Sequence, residues 1–101
     1  MDESYADLFK CFAHPSRLKL MELLARAGEL SVMELAQALG VKHSTISKHL
    51  HLLRLQGLVR PRREGQLIYY SLNLETITQL FHRFLHSLEM ERQATLPLFK
   101  G

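Results

Sequence analysis

Four interior glycines, Gly28, Gly40, Gly57 and Gly65, each stand where an apolar pattern stops, and this punctuation constrains the fold more than any other feature of the chain. No glycine has to sit inside a helix, and no repeat or low-complexity linker interrupts the pattern. Residues 4–12 place Tyr5, Leu8, Phe9 and Phe12 at the spacing of a short amphipathic helix, with Ser4 as its cap. Pro15 suits a first helical position, and Leu18, Met21 or Leu20, Leu24 and Ala25 make the inward side of a second helix ending before Gly28. Ser31 followed by Glu34 is a capping box for a third, shorter helix that turns Val32, Leu35, Ala36 and Leu39 inward. It stops at Gly40, after which Val41 is expected to pack back.

The segment from Lys42 to Leu55 predicts a helix with Ile46, Leu50, Leu53 and Leu52 inward. Its other side presents Ser44, Thr45, Ser47, Lys48 and His51, small polar and basic groups where an ordinary solvated helix mixes Glu and Lys. After Gly57, Leu58-Val59-Arg60 and Leu67–Leu72 read as an antiparallel hairpin with a basic tip, Pro61 lying at the strand end because it cannot donate a ladder bond. A last helix over about residues 74–91 carries Leu74, Ile77, Leu80, Phe81, Phe84, Leu85 and Leu88, a stripe broader than a small core needs. The tail from Gln93, containing Pro97, is expected to be loosely held.

The chain is 101 residues long, enough for one domain spanning residues 1–101 and a modest core, so oligomerisation is expected early. With 47% hydrophobic and 23% charged residues it is globular rather than disordered. Charge is unevenly spread. Leu35–Arg63 holds six basic residues and no acidic one, whereas the remainder holds seven basic against ten acidic. A positive face on a mildly acidic body points at a polyanion.

The same residues exclude other classes. One cysteine, Cys11, forms neither an intrachain disulfide nor a cysteine cluster, as suits a reducing compartment. The acidic N-terminus is unlike a secretory signal, and no apolar run approaches the about 20 residues that span a bilayer, so a cytoplasmic location is expected. No nucleophile or carboxylate pair sits beside a base and no glycine loop cradles phosphate, so neither an enzyme nor a cofactor is expected.

A short helix, a Gly-Val-Lys-His turn, a polar-faced second helix and a basic hairpin make a winged helix-turn-helix, mainly α with a β-hairpin wing. Its second helix fits the major groove of DNA, and its hairpin lies along the backbone. Phe12-Ala13-His14-Pro15-Ser16-Arg17-Leu18, Gly28-Glu29-Leu30-Ser31-Val32, Ser44-Thr45-Ile46-Ser47-Lys48-His49-Leu50, Leu55-Gln56-Gly57-Leu58-Val59 and Arg63-Glu64-Gly65-Gln66 together resemble the arsenic-repressor (ArsR/SmtB) family over roughly residues 5–90. The resemblance implies a homodimer, built by the first and last helices, that represses transcription from palindromic double-stranded operators until an inducer releases it. Its inducer here is unidentified. The alternative is a winged-helix adaptor or anti-repressor that works through protein partners.

Carried onto this chain, the resemblance places base reading on His43, Ser44, Thr45, Ser47, Lys48 and His51. Backbone and wing contacts fall on Lys42, Arg62, Arg63 and Gln66, and the dimer interface on Tyr5, Phe9, Phe81, Phe84 and Leu88. The sensing chemistry departs from the family. Arsenic- and lead-sensing relatives carry Cys-Val-Cys where this chain has Ser31-Val32-Met33, which lacks the thiolates that soft ions need. The zinc pattern of the last helix lands on Asn73-x-Glu75 and His86-x-x-Glu89, leaving Glu75, His86 and Glu89 as a degraded candidate, since Asn is a poor zinc ligand. His82 and His86, four apart, share a helix face. His14 reads as structural, and His49 as a base contact or a packing residue against the third helix. Cys11 is by default a buried or interface thiol; a redox role requires an activated thiolate and a resolving partner.

Overall fold

The computed structural model describes residues 3–94, which run in the order α1 (Glu3–Phe12), α2 (Pro15–Ala27), β1 (Leu30–Ser31), α3 (Val32–Leu39), α4 (His43–Leu55), β2 (Val59–Glu64), β3 (Leu67–Leu72) and α5 (Leu74–Gln93). The expected caps set these boundaries. Pro15 opens α2, and the Nδ1 atom of His14 accepts from the Ser16 amide at 3.2 Å. Ser31 and Glu34 close the capping box of α3 at 3.1 and 2.9 Å. Asn73 caps α5 by accepting from the Thr76 amide at 3.2 Å. Ser4, expected as a cap, lies inside α1. The flexible tail was expected from Gln93; instead α5 continues through Gln93, and the residues after Ala94 lie outside the described part.

The hairpin supplies two strands of a three-stranded antiparallel sheet in the order β1-β3-β2. The two-residue β1, too short to show a strand period, pairs Leu30 with Tyr70 and Ser31 with Tyr69. Pro61 is not at the strand end: it sits inside β2 opposite Tyr70, tolerated because β2 is an edge strand. Nor is the tip basic. Arg62 and Arg63 lie on the strand, and the turn is Gly65-Gln66, where Gly65 at φ +61° supplies the positive φ that a tight two-residue hairpin turn demands.

Leu20, Leu24, Leu35, Ile46, Leu50, Leu53 and Leu58 are buried together with Leu8 from α1, each contributing roughly 1.5–3 kcal/mol. Leu18 and Ala25, expected inward, are exposed. They lie seven residues apart and so at one helical angle, on the flank of an inward arc centred on Leu20, Leu24 and Met21. Val41 is exposed, and only its amide turns back, to the Ala36 carbonyl. Leu52 is also exposed; the fourth inward place on α4 belongs to His49. Among the described residues no helix is long and apolar enough to cross a membrane.

Tyr5, Phe9, Phe81 and Phe84, expected at an interface, make contacts within the chain. Phe84 meets Tyr5 and Phe9 edge-on at centroid distances of 5.4 and 4.7 Å, and Phe81 meets Phe9 at 5.9 Å, so these rings tie α5 to α1. Even so, no residue of α5 is fully buried, and Leu85, Leu88 and Met90 are exposed beyond the aromatic stripe.

Because Leu50 is fully buried and Leu55 stands 68% exposed on the same helix, their truncations separate cleanly. Leu50→Ala is expected to cost about 2–5 kcal/mol in urea denaturation, and Leu55→Ala about 0.5 kcal/mol or less.

Candidate nucleic-acid interface

Inward anchoring of Ile46, Leu50 and Leu53 turns the opposite face of α4 to solvent. His43, Ser44, Ser47, Lys48 and His51 are exposed there, and Thr45 is half-buried at the margin. Lys42 is the N-cap, with extended backbone and no side-chain cap bond, and the first turn holds no acidic residue. The helix therefore begins with open amides and a positive dipole end, the environment an anion favours. Gln66, in the hairpin turn, borders the same shallow depression as His43, together with Ser31, Met33 and Leu67. The structure thus brings Gln66 of the turn beside His43 at the start of α4.

The wing cations are not equivalent. Arg62 grips Glu29 through two hydrogen bonds of 2.9 and 2.6 Å, donates to Glu64 at 2.9 Å, and lies over the Tyr69 ring at 4.9 Å. These carboxylates hold the guanidinium well above its ordinary pKa, and the hydrogen bond from Arg62 holds Glu29 below the usual carboxylate value. Arg60 faces Glu75 at 3.9 Å. Arg63 has no ion pair among the described residues, and it borders a cleft with Arg54, Pro61 and Ile68. Sequence reasoning counted Arg54 in the basic stretch but gave it no contact, although it stands seven residues after Ser47 on the same helix and thus on nearly the same face.

The sensing candidates scatter. Glu75 and His86 are eleven residues apart on α5, about 16 Å along its axis, so they cannot share an ion within one chain. His86 and Glu89 border a shallow depression with His82 and Leu85, and among the described residues no three His, Cys, Asp or Glu side chains converge as a metal set. Cys11 is buried, its Sγ 3.8 Å from the Leu52 carbonyl. Burial pushes the thiol pKa up, with Asp7 adding to the effect and Arg17 opposing it, the reverse of an activated thiolate.

His49 is buried and packs against His14 at a ring-centroid distance of 4.8 Å. Its Nδ1 is buried with no hydrogen-bond partner, while Nδ1 of His14 is already occupied by the Ser16 amide. Burial lowers the pKa of His49, and His14 and Arg17 lower it further, so the imidazole is held neutral beneath the outward face.

A family model described as a helix-turn-helix domain matches residues 12–62. A cadmium resistance transcriptional regulatory protein homolog of Staphylococcus aureus is 38% identical over 86 residues, 84% of this chain and 71% of that protein. A transcriptional repressor SmtB homolog of Synechocystis is 41% identical over 87 residues, 86% of this chain and 65% of the relative. This chain therefore spans about two thirds of the length of these relatives. In solved structures, a homodimeric winged helix-turn-helix DNA-binding domain from Mycobacterium bovis, described as that of a possible ArsR-family regulator, aligns at a TM-score of 0.69 and 34% identity, covering 91% of this chain and 83% of that one.

A depressed His49 pKa makes folding stability depend on pH. The unfolded chain binds the proton more readily, so the contribution of neutral His49 is complete above its unfolded value of about 6.5 and declines as pH falls through the folded one. At fixed protein concentration, the denaturation midpoint is expected to drop between pH 7.5 and pH 5, and less steeply for His49→Leu. Equal slopes for the two proteins would remove His49 from the account.

Proposed function

The chain belongs to the arsenic-repressor (ArsR/SmtB) family of winged helix-turn-helix regulators, and from that premise we propose that it is a homodimeric, sequence-specific DNA-binding repressor acting in the cytoplasm. The observation that carries this reading is the division of α4. Its inward side is locked by Ile46, Leu50 and Leu53, and its outward side, apart from the exposed Leu52 and Leu55, is polar, basic and free of carboxylates. Such a helix enters the major groove with His43, Ser44, Ser47, Lys48 and His51 toward base edges and Thr45 at the margin. Lys42 and the wing residues Arg63 and Gln66 stay with the phosphates. Two copies joined through α1 and α5 would present two such helices to a palindrome, and the exposed Leu85, Leu88 and Met90 supply apolar surface for the joint.

Arsenite and lead are not its inducers in this reading. The Ser31 hydroxyl is committed to its capping box, Met33 offers only a thioether, and Cys11 is one buried sulfur per chain. Stoichiometric arsenite is expected to leave DNA affinity of the reduced protein unchanged in an anisotropy titration; release by arsenite would reverse this assignment.

Two further outcomes follow from the geometry. Replacement of Leu88 by Glu is expected to shift a sedimenting dimer to monomer with helical content retained, whereas a wild type already monomeric at micromolar concentration removes the dimer. In competition between a duplex selected from a random pool and an unselected one, Ser47→Ala and Lys48→Ala are each expected to lose about 1–3 kcal/mol of discrimination per good base contact. A protein that selects no duplex would instead fit the adaptor reading.

A further inference from the structure

The two faces of β2 carry opposite electrostatics. Side chains alternate along a strand, so Val59, Pro61 and Arg63 share one face and Arg60, Arg62 and Glu64 the other. Val59, 3% exposed, marks the first face as the one turned toward the core. Every carboxylate that reaches the wing cations stands with the second: Glu29 and Glu64 on Arg62, and Glu75 beside Arg60. Two guanidiniums there meet three carboxylates, a local field that repels phosphate.

The core-side face holds the contrary arrangement. Arg63 projects past the core beside its cross-strand partner Ile68, and with Pro61 and Arg54 of α4 it borders a cleft of about 280 Å³ that no acidic residue lines. Arg54 lies seven residues after Ser47 and eleven after His43, spacings of close to whole turns, so the stripe that presents the outward side chains of α4 runs into this cleft. Two guanidiniums bordering an acid-free cleft, with Pro61 and Ile68 as its other walls, repel one another until an anion sits between them, and the guanidinium fork suits phosphate oxygens.

We propose that Arg54 and Arg63 form the clamp for a backbone phosphodiester of duplex DNA, and that Arg62 is a positioning residue that ties the wing to the segment before β1. This inference rests on the DNA-binding reading and narrows it. For Arg62 to hold phosphate it would have to release three charge-assisted hydrogen bonds and turn two carboxylates loose beside a polyanion.

The test is the salt dependence of binding to one random-sequence duplex, read by anisotropy on the full chain. Each phosphate contact contributes close to one unit to the slope of log affinity against log salt. Arg54→Ala and Arg63→Ala are each expected to lower the slope by about one unit. Arg54→Lys and Arg63→Lys, which keep the charge, are expected to retain it with unchanged thermal midpoints, which separates charge from folding. Arg62→Ala is expected to leave the slope at the wild-type value. A slope that falls for Arg62→Ala, or that fails to fall for either Arg54→Ala or Arg63→Ala, overturns the clamp while leaving DNA binding intact. A wild type with no salt-dependent duplex binding overturns the underlying reading instead.

Discussion

Burial of Ile46, Leu50 and Leu53 fixes the rotation of α4 about its own axis, and the remaining architecture is arranged around that orientation. One residue of rotation is 100°, enough to carry these anchors out of the core and bring Ser47, His51 or Arg54 inward without hydrogen-bond partners. Loss of three buried aliphatic side chains together with burial of polar ones would cost more than a domain of this size can spare. The anchors thus do two things at once: they close the core and set the direction of the polar face. Their register passes to the wing through short links. The Leu58 amide donates to the Leu53 carbonyl at 3.0 Å, the Asn73 amide donates to the Leu58 carbonyl at 2.9 Å, and buried Leu58 and Val59 seat the start of the hairpin on the same core.

Much of this was legible in the sequence because it is local. The capping box of Ser31 and Glu34, the opening of α2 at Pro15 and the glycine stops are written within three or four residues of where they act, and all appear in the structure. The apolar period of α4 gave its inward face in the same way. Where the reading failed, the cause was a partner distant in sequence or a choice among several leucines. Leu52 was a reasonable inward residue by spacing, yet His49 took the place because His14, thirty-five positions earlier, supplies a ring to pack on. Aromatic surplus on α5 was rightly noticed, but periodicity cannot tell a neighbour in the same chain from one in another. Phe81 and Phe84 bind α5 to α1 within the chain, and the apolar surface left exposed lies farther along the same side of the helix, at Leu85 and Leu88.

The wing shows the same limit for the candidate site. A count of basic residues located the hairpin as a positive element but treated Arg62 and Arg63 alike. Their difference comes from strand alternation and from Glu29, thirty-three residues before Arg62, which only the sheet brings near. Net charge is therefore a poor guide to which side of a strand meets a polyanion; the placement of the carboxylates decides it. Arg54 was counted in the basic stretch but given no contact for the converse reason, since it lies at the end of α4 beyond the run of small polar residues and joins them only through helical geometry.

The central claim, that the outward face of α4 is the surface that meets DNA, is tested most directly by mapping backbone amide shifts of the labelled protein on addition of a duplex. The account predicts the largest changes along His43–His51 and at Arg63, with the amides of α2 away from the wing nearly unmoved. Changes concentrated on α1, α2 or α5, with α4 silent, would contradict it.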